Sequence, residues 1–63
     1  MLGENLERIR KEQRYTRKQL AEITGITATN IKLIEGGIND NPRIKTLLSL
    51  ATALKVPITK LLK

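Results

Sequence analysis

Residues 16–37 read TRKQLAEITGITATNIKLIEGG, and this stretch decides the fold. Thr16 and Gln19 stand at the spacing of a capping box, in which each side chain satisfies a free backbone N–H group of the other residue. The pattern predicts a short helix over residues 17–24. Gly25 stands where a left-handed residue ends such a helix.

A second short helix follows almost at once. Thr27 is the next capping residue, and the sequence predicts a helix over residues 28–35 that stops at the glycine pair 36–37. Ile31 and Ile34 form its inward stripe. The outward face of this helix then reads Ala28, Thr29, Lys32 and Leu33. Because the linking segment is so short, the two helices must meet at a tight angular joint.

Apolar spacing predicts helices on both sides of this pair. A first helix covers roughly residues 3–13, with one apolar stripe made of Leu2, Leu6 and Ile9. Beyond a polar loop at residues 38–43, a core-facing helix carries the apolar positions Ile44, Leu47, Leu48, Ala51 and Leu54. Pro57 is placed to begin a final helical turn that holds Ile58, Leu61 and Leu62. Strand-like alternation never persists, so we expect an all-α fold of five helices.

The composition limits what the protein can bind and catalyse. The chain has no cysteine and no histidine, which excludes disulfides and the usual zinc, copper and haem sites, and we expect no cofactor. Without these residues, a catalytic nucleophile would need a lysine or carboxylate as its base. The six acidic residues are scattered over positions typical of a protein surface, so we expect that the protein is not an enzyme. The core must come from aliphatic packing, for which eight Ile and ten Leu are available in a single domain, residues 1–63.

The charge balance points to a class of partner. Twelve basic residues face six acidic ones, and the formal net charge of +6 indicates a polyanion. The lone aromatic residue, Tyr15, argues against proteins that stack single-stranded bases on aromatic side chains. No apolar run has the length of a membrane span, and the amino terminus lacks a signal-peptide pattern. We therefore expect a small, soluble, cytoplasmic protein that does not contact a membrane.

An ordered set of short motifs covers nearly the whole chain without a gap. It comprises Gly3-Glu4-x-Leu6, Ile9-Arg10, Tyr15-Thr16-Arg17, Leu20-Ala21, Gly25-Ile26-Thr27, Ile31, Ile34-Glu35, Gly37, Asn41-Pro42, Leu47, Leu54-x-Val56 and Leu61-Leu62. Each motif is weak alone, but the set resembles the Cro/C1-type (XRE, lambda-repressor-like) helix-turn-helix family. The resemblance implies a compact five-helix domain of bacterial or phage origin, in which the second and third helices form the helix-turn-helix. It also implies a sequence-specific binder of double-stranded DNA that regulates transcription, with repression as the expected effect.

The resemblance places the helix over residues 28–35 in the major groove of DNA. Its base-contacting positions correspond to Thr27, Ala28, Thr29, Lys32 and Leu33. Lys32 can donate hydrogen bonds to guanine O6 and N7, whereas Ala28 and Leu33 offer apolar contacts suited to the thymine methyl group. Thr29 can do either. An exposed leucine is also common on ordinary protein surfaces, so Leu33 alone decides nothing.

Two segments beside that helix are suited to the phosphate backbone. At the start of the second helix, unpaired backbone N–H groups and the positive dipole end favour an anion, and the residues there are Thr16, Arg17 and Lys18. The resemblance assigns the other side of the groove to a loop that supplies Asn39, Asn41 and Arg43. The remaining basic residues are expected to serve solubility, among them Arg8, Arg14, Lys45, Lys55, Lys60 and Lys63.

Two further charged residues are expected to be structural. Arg10 and Glu35 match the family's internal ion pair, which links the first and third helices. Arg14 departs from the family, which usually has a glycine at this position, and a left-handed conformation there costs on the order of 1 kcal/mol. Arg43 replaces the frequent Ser or Thr cap of the fourth helix, so either Asn41 caps this helix or its start is irregular.

Three functions stay open on this evidence. The leading one is a homodimer that binds a palindromic operator, with half-sites about one helical turn apart. Its interface would be a carboxyl-terminal patch of Ile58, Leu61 and Leu62, although these residues would equally close the core. The alternatives are a protein-interaction module of the same fold (antitoxin-like or antagonist-binding), which Leu33 and Ile38 support, and a nonspecific DNA-packaging domain. Many family members carry a further domain, so the chain is interpreted either as a whole protein or as an amino-terminal piece.

Overall fold

The computed structural model describes residues 1–62, and the interpretation of Lys63 as a solubility charge lies outside this range. Within it the chain forms five helices and no strand, which confirms the predicted fold class. The helices are α1 (Leu2–Glu12), α2 (Arg17–Thr24), α3 (Ala28–Glu35), α4 (Ile44–Leu54) and α5 (Ile58–Leu62). None of these helices has the length and apolar character that crossing a membrane requires.

Local hydrogen bonds define both ends of α2. Thr16 Oγ1 accepts the Gln19 N–H at 3.0 Å, and the Thr16 N–H donates to Gln19 Oε1 at 2.9 Å, which confirms the predicted capping box. At the other end of α2, Gly25 takes a φ of 76°, and its N–H donates to the carbonyl of Ala21 at 2.8 Å. A side chain would strain this left-handed conformation, so glycine lets α2 stop and the chain turn into α3.

The core holds α3 between two other helices. α1 packs against α3 and α5, α2 packs against α3 and α4, and α4 packs against α5. The buried aliphatic cluster consists of Leu6, Ile9, Leu20, Ile31, Ile34, Leu50, Ala51, Leu54 and Leu61. Because Ile31 and Ile34 lie in this cluster, one side of α3 is anchored and the opposite side remains at the surface.

The predicted inward face of α4 is wrong at two positions. Ile44 is 63% exposed and Leu48 is 49% exposed, whereas Leu50, which the predicted stripe left out, is fully buried. The sequence of α4 is apolar around more than half of its circumference. Packing against α2 and α5 decides which face of α4 is buried, and that face includes Leu50.

The final helix supplies a core residue and an exposed one. Leu61 is fully buried and Ile58 packs against the core while partly exposed, so this segment closes the core, as one of the two interpretations proposed. Leu62 is 53% exposed and stays at the surface.

The two departures from the family pattern have local consequences. Arg14 takes a φ of 61°, so α1 ends through a left-handed residue that is not glycine. The N–H of Arg14 donates to the carbonyl of Lys11 at 2.9 Å, which completes this turn. Arg43 is the capping position of α4 and makes no side-chain cap bond, so the start of α4 is uncapped and Asn41 does not substitute.

At Gly3, the backbone of α1 lies close to the end of α3. A Cβ atom added there would lie 2.6 Å from the carbonyl oxygens of both Ile34 and Glu35. Real Cβ atoms do not come so near to backbone oxygen, so the packing of these helices requires glycine at this position.

Candidate nucleic-acid interface

The outer face of α3, together with its capping residue Thr27, carries the five positions to which the family resemblance assigned base contacts. Thr27, Thr29 and Lys32 are exposed, whereas Ala28 and Leu33 are partly buried. Thr29 is three positions from Lys32 and four from Leu33, so these three side chains share the side of α3 away from the buried isoleucines, with Ala28 at its edge and Thr27 at the helix start. The structure therefore places all five at the surface. Ala28 and Leu33 expose only a minor part of their side chains to a partner.

The polar groups on this face are held in place and keep hydrogen-bonding capacity. Thr27 Oγ1 accepts the Asn30 N–H at 3.1 Å and so caps α3. A hydroxyl group that accepts one bond still has its own hydrogen to donate, which leaves Thr27 able to bind an oxygen acceptor. Within residues 1–62, Lys32 takes part in none of the ion pairs, so its ammonium group faces solvent.

The loop after α3 is attached to α3 by a pair of asparagines. Asn39 Nδ2 donates to Asn30 Oδ1 at 3.2 Å, and the Asn39 N–H donates to the carbonyl of Leu33 at 3.0 Å. Sequence reasoning missed Asn30, because no periodicity or motif separates it from the neighbouring polar positions. Asn30 and the predicted loop residues line one shallow depression. The lining residues are Asn30, Asn39, Asn41, Pro42, Arg43 and Thr46.

The start of α2 presents a second polar surface. Thr16 and Lys18 are exposed there, while Arg17 is only half-exposed. Arg17 Nε donates to Glu35 Oε1 at 3.0 Å, and Arg17 Nη2 lies 3.9 Å from Glu7 Oε2. Arg17 is therefore engaged inside the protein, an interaction that the sequence did not indicate.

A buried ion pair joins α1 to α3 behind this surface. Arg10 Nε donates to Glu35 Oε2 at 2.6 Å and Arg10 Nη2 donates to Glu35 Oε1 at 3.1 Å. The two side chains are only 8% and 1% exposed. Arg10 Nη1 also donates to the carbonyl of Tyr15 at 2.7 Å, so the same guanidinium fixes the turn ahead of α2. With Arg17 included, Glu35 accepts hydrogen bonds from two arginines and locks the end of α3 to the start of α2.

The arrangement offers surface contacts, with its acidic group taken up by internal pairing. The one buried carboxylate, Glu35, is satisfied by arginine on both oxygens. Across the described part of the chain, no group of acidic side chains is arranged to hold a metal ion. What the site can do is donate hydrogen bonds and present positive charge along one side of α3 and its flanks.

Comparison with known proteins agrees with this geometry. A family profile described as a helix-turn-helix domain matches residues 3–63. The chain is similar to the HTH-type transcriptional repressor RghR of Bacillus subtilis (strain 168), with 42% identity over 55 residues that cover 87% of this chain and 41% of the relative. It is 32% identical over 62 residues to the HTH-type transcriptional regulator SinR of the same organism, which covers 98% of this chain and 56% of the relative. The chain thus spans about half the length of the curated relatives it matches.

Proposed function

Because the chain belongs to the helix-turn-helix domain family, we propose that it binds double-stranded DNA sequence-specifically and regulates transcription, with repression as the effect. The observation that carries the proposal is the outer face of α3, which is exposed and anchored from behind by Ile31 and Ile34. The relatives named as a repressor and a regulator come from Bacillus, which supports action in a bacterial cytoplasm. An enzymatic role is not proposed, because Glu35 is fully engaged by arginines.

In this proposal α3 lies in the major groove and reads the base edges. The contacting residues are Thr27, Ala28, Thr29, Lys32 and Leu33. Lys32 donates to guanine, and the Thr29 side chain approaches either a polar edge or a thymine methyl group. Ala28 and Leu33 are partly buried, so their contact area is small and most direct discrimination falls to the two polar side chains.

The flanks of α3 supply contacts to phosphate. At the start of α2 these are Thr16, Arg17 and Lys18, and in the loop after α3 they are Asn39, Asn41 and Arg43. Both segments flank the outer face of α3 and contact phosphate but no base. The net charge of +6 therefore contributes affinity for any DNA sequence. Phosphate contacts therefore orient the domain, and a few α3 side chains select the site.

We also propose that the protein binds a palindromic operator as a homodimer. Helix-turn-helix dimers read two half-sites about one helical turn apart. Leu61 is buried in the core and is no part of the interface. Leu62 is the exposed apolar residue of α5, and it is the residue we assign to the contact between protomers.

Selection from a random pool of duplexes at physiological salt tests the proposal. Enrichment of a palindrome, with affinity at least about 10³-fold above that for random DNA, is the expected result. Weak and uniform binding would instead identify a DNA-packaging domain, and no binding would identify a protein-interaction module.

A lysine pair then tests the role of α3 on the selected site. Lys32→Gln is expected to relax the preference at one base pair, at a cost of up to about 1–3 kcal/mol. Lys60→Gln removes the same charge from the exposed side of α5 and should leave base preference unchanged. Equal base preferences in the two variants would contradict the assignment of Lys32.

A further inference from the structure

We propose that Glu7 restrains DNA binding by competing with phosphate for Arg17, which Glu35 holds in position. This inference rests on the proposed function, because it describes what sets the strength of one phosphate contact. Arg17 is the positioned cation and Glu7 is its competing anion.

The Arg17 side chain is tethered at one nitrogen and open at the others. Its Nε donates to Glu35 Oε1 at 3.0 Å, and the Glu35 side chain is only 1% exposed. Glu35 is itself fixed by two hydrogen bonds from Arg10, so the anchor of Arg17 does not move freely. The Arg17 side chain remains 39% exposed at the start of α2, so a phosphate can approach it from solvent.

Glu7 faces those terminal nitrogens from α1. Its Oε2 lies 3.9 Å from Arg17 Nη2, and its side chain is 41% exposed. This distance is too long for a hydrogen bond, so the pair is held by charge attraction alone. A phosphate oxygen that approaches Arg17 at hydrogen-bonding distance makes the stronger, charge-assisted contact. Glu7 and phosphate therefore seek the same edge of one guanidinium group.

Binding of DNA would also bring Glu7 close to a phosphate of like charge. Both the lost attraction to Arg17 and the new repulsion oppose binding, and both fall as salt screens them. Phosphate carries no base information, so the restraint acts on all sequences alike. Removal of the Glu7 charge is thus expected to raise affinity without changing base preference.

The matched control is Glu12, which lies on the same helix. Glu7 pairs with Lys11 at 3.6 Å and Glu12 pairs with Arg8 at 3.6 Å, each at a spacing of four residues. Glu7→Gln and Glu12→Gln therefore remove the same charge and one comparable surface pair. They differ in that Glu7 also faces Arg17.

The experiment measures duplex affinity at several salt concentrations for the wild type, both single variants, Arg17→Gln and Glu7→Gln/Arg17→Gln. At low salt, Glu7→Gln is expected to bind about two- to five-fold more tightly than Glu12→Gln, which is the range of a half-exposed ion pair. Most of this gain should be lost in the Arg17→Gln background, because only the direct repulsion between Glu7 and phosphate remains there. Arg17→Gln itself should reduce the salt slope by about 0.9, the value of one phosphate contact.

Arg17→Lys separates positioning from charge. Lysine keeps the positive charge but lacks the Nε donor that Glu35 holds, so the salt slope should persist while affinity falls relative to the wild type. Circular dichroism melts verify that each variant is folded at the assay temperature.

The outcomes separate this inference from the proposed function. If the wild type binds no duplex, both are overturned. If the wild type binds but Glu7→Gln and Glu12→Gln have the same affinity, only the restraint by Glu7 is overturned. The same holds if Glu7→Gln raises affinity equally in the Arg17→Gln background.

Discussion

The buried pair of Arg10 and Glu35 makes stability depend on both charges at once. We expect Glu35→Leu to lower the free energy of unfolding by about 3–5 kcal/mol, because it leaves a buried guanidinium without its counter-charge. In the variant Arg10 would keep only its bond to the carbonyl of Tyr15, at a position where the side chain is 8% exposed. A domain of this length has a total stability of roughly 3–9 kcal/mol, so the loss removes at least about a third of it and, at the low end of that range, unfolds the variant at room temperature.

The double variant Arg10→Met/Glu35→Leu should recover most of this loss. It removes both charges and keeps aliphatic volume, which is often neutral in protein interiors. Two groups lose a partner in the exchange. The Tyr15 carbonyl would then lack a donor, at a cost of about 1–3 kcal/mol if water does not reach it. Arg17 is half-exposed and can turn to solvent, so its loss should be small.

Urea denaturation of the wild type, both single variants and the double variant measures the coupling. Circular dichroism reports the helices, and the fluorescence of Tyr15, the lone aromatic residue, gives a second probe of whether the transition is two-state. We expect a coupling energy of at least about 2 kcal/mol, toward the upper part of the range for contacting residues. A loss below about 1 kcal/mol for Glu35→Leu, or a double variant as unstable as the sum of the single ones, would refute the reasoning.

Three substitutions test local features of the fold by thermal or urea denaturation. Gly3→Ala should cost about 1–3 kcal/mol because its Cβ meets backbone oxygens, whereas Gly36→Ala should be tolerated, since its Cβ would lie 3.4 Å from the carbonyl oxygen of Lys32, an ordinary van der Waals contact. Equal losses at the two glycines would contradict the close approach of α1 and α3. Arg14→Gly should raise stability by about 0.5–1 kcal/mol by relieving a left-handed arginine, and a loss would show that the residue is not strained. Thr16→Ala should cost about 1 kcal/mol through the lost cap, while the exposed Thr52→Ala should change little; similar effects would argue against the capping box.

Much of the candidate interface follows from local sequence. The bounds of α2 and α3 agree with the prediction because they depend on Thr16, Gly25 and Thr27, each of which acts on residues no more than four positions away. Once Ile31 and Ile34 are buried, the helical period alone puts residues 29, 32 and 33 on the other side and residue 28 at its edge. This outer face of α3 could therefore be identified without a structure.

Other parts of the interface depend on residues that are distant in the chain. The Asn30–Asn39 bond forms because the loop folds back on α3, and neither asparagine shows this preference by itself. The inward face of α4 was misjudged because Leu48 and Leu50 are both leucines, and only the position of α2 and α5 decides which of them is buried.

The sequence by itself determined the five helices, the joint at Gly25 and the excess of positive charge. Capping and helical period depend on residues that are near in the chain, and net charge depends on composition alone. Tertiary structure decided how that charge is used. By sequence Arg17 is a candidate phosphate contact at the start of a helix, yet it lies against Glu35, which is 18 positions away, and near Glu7 of another helix. Charge pairing between helices depends on distances that only packing sets, and it determines which cations remain available to a partner.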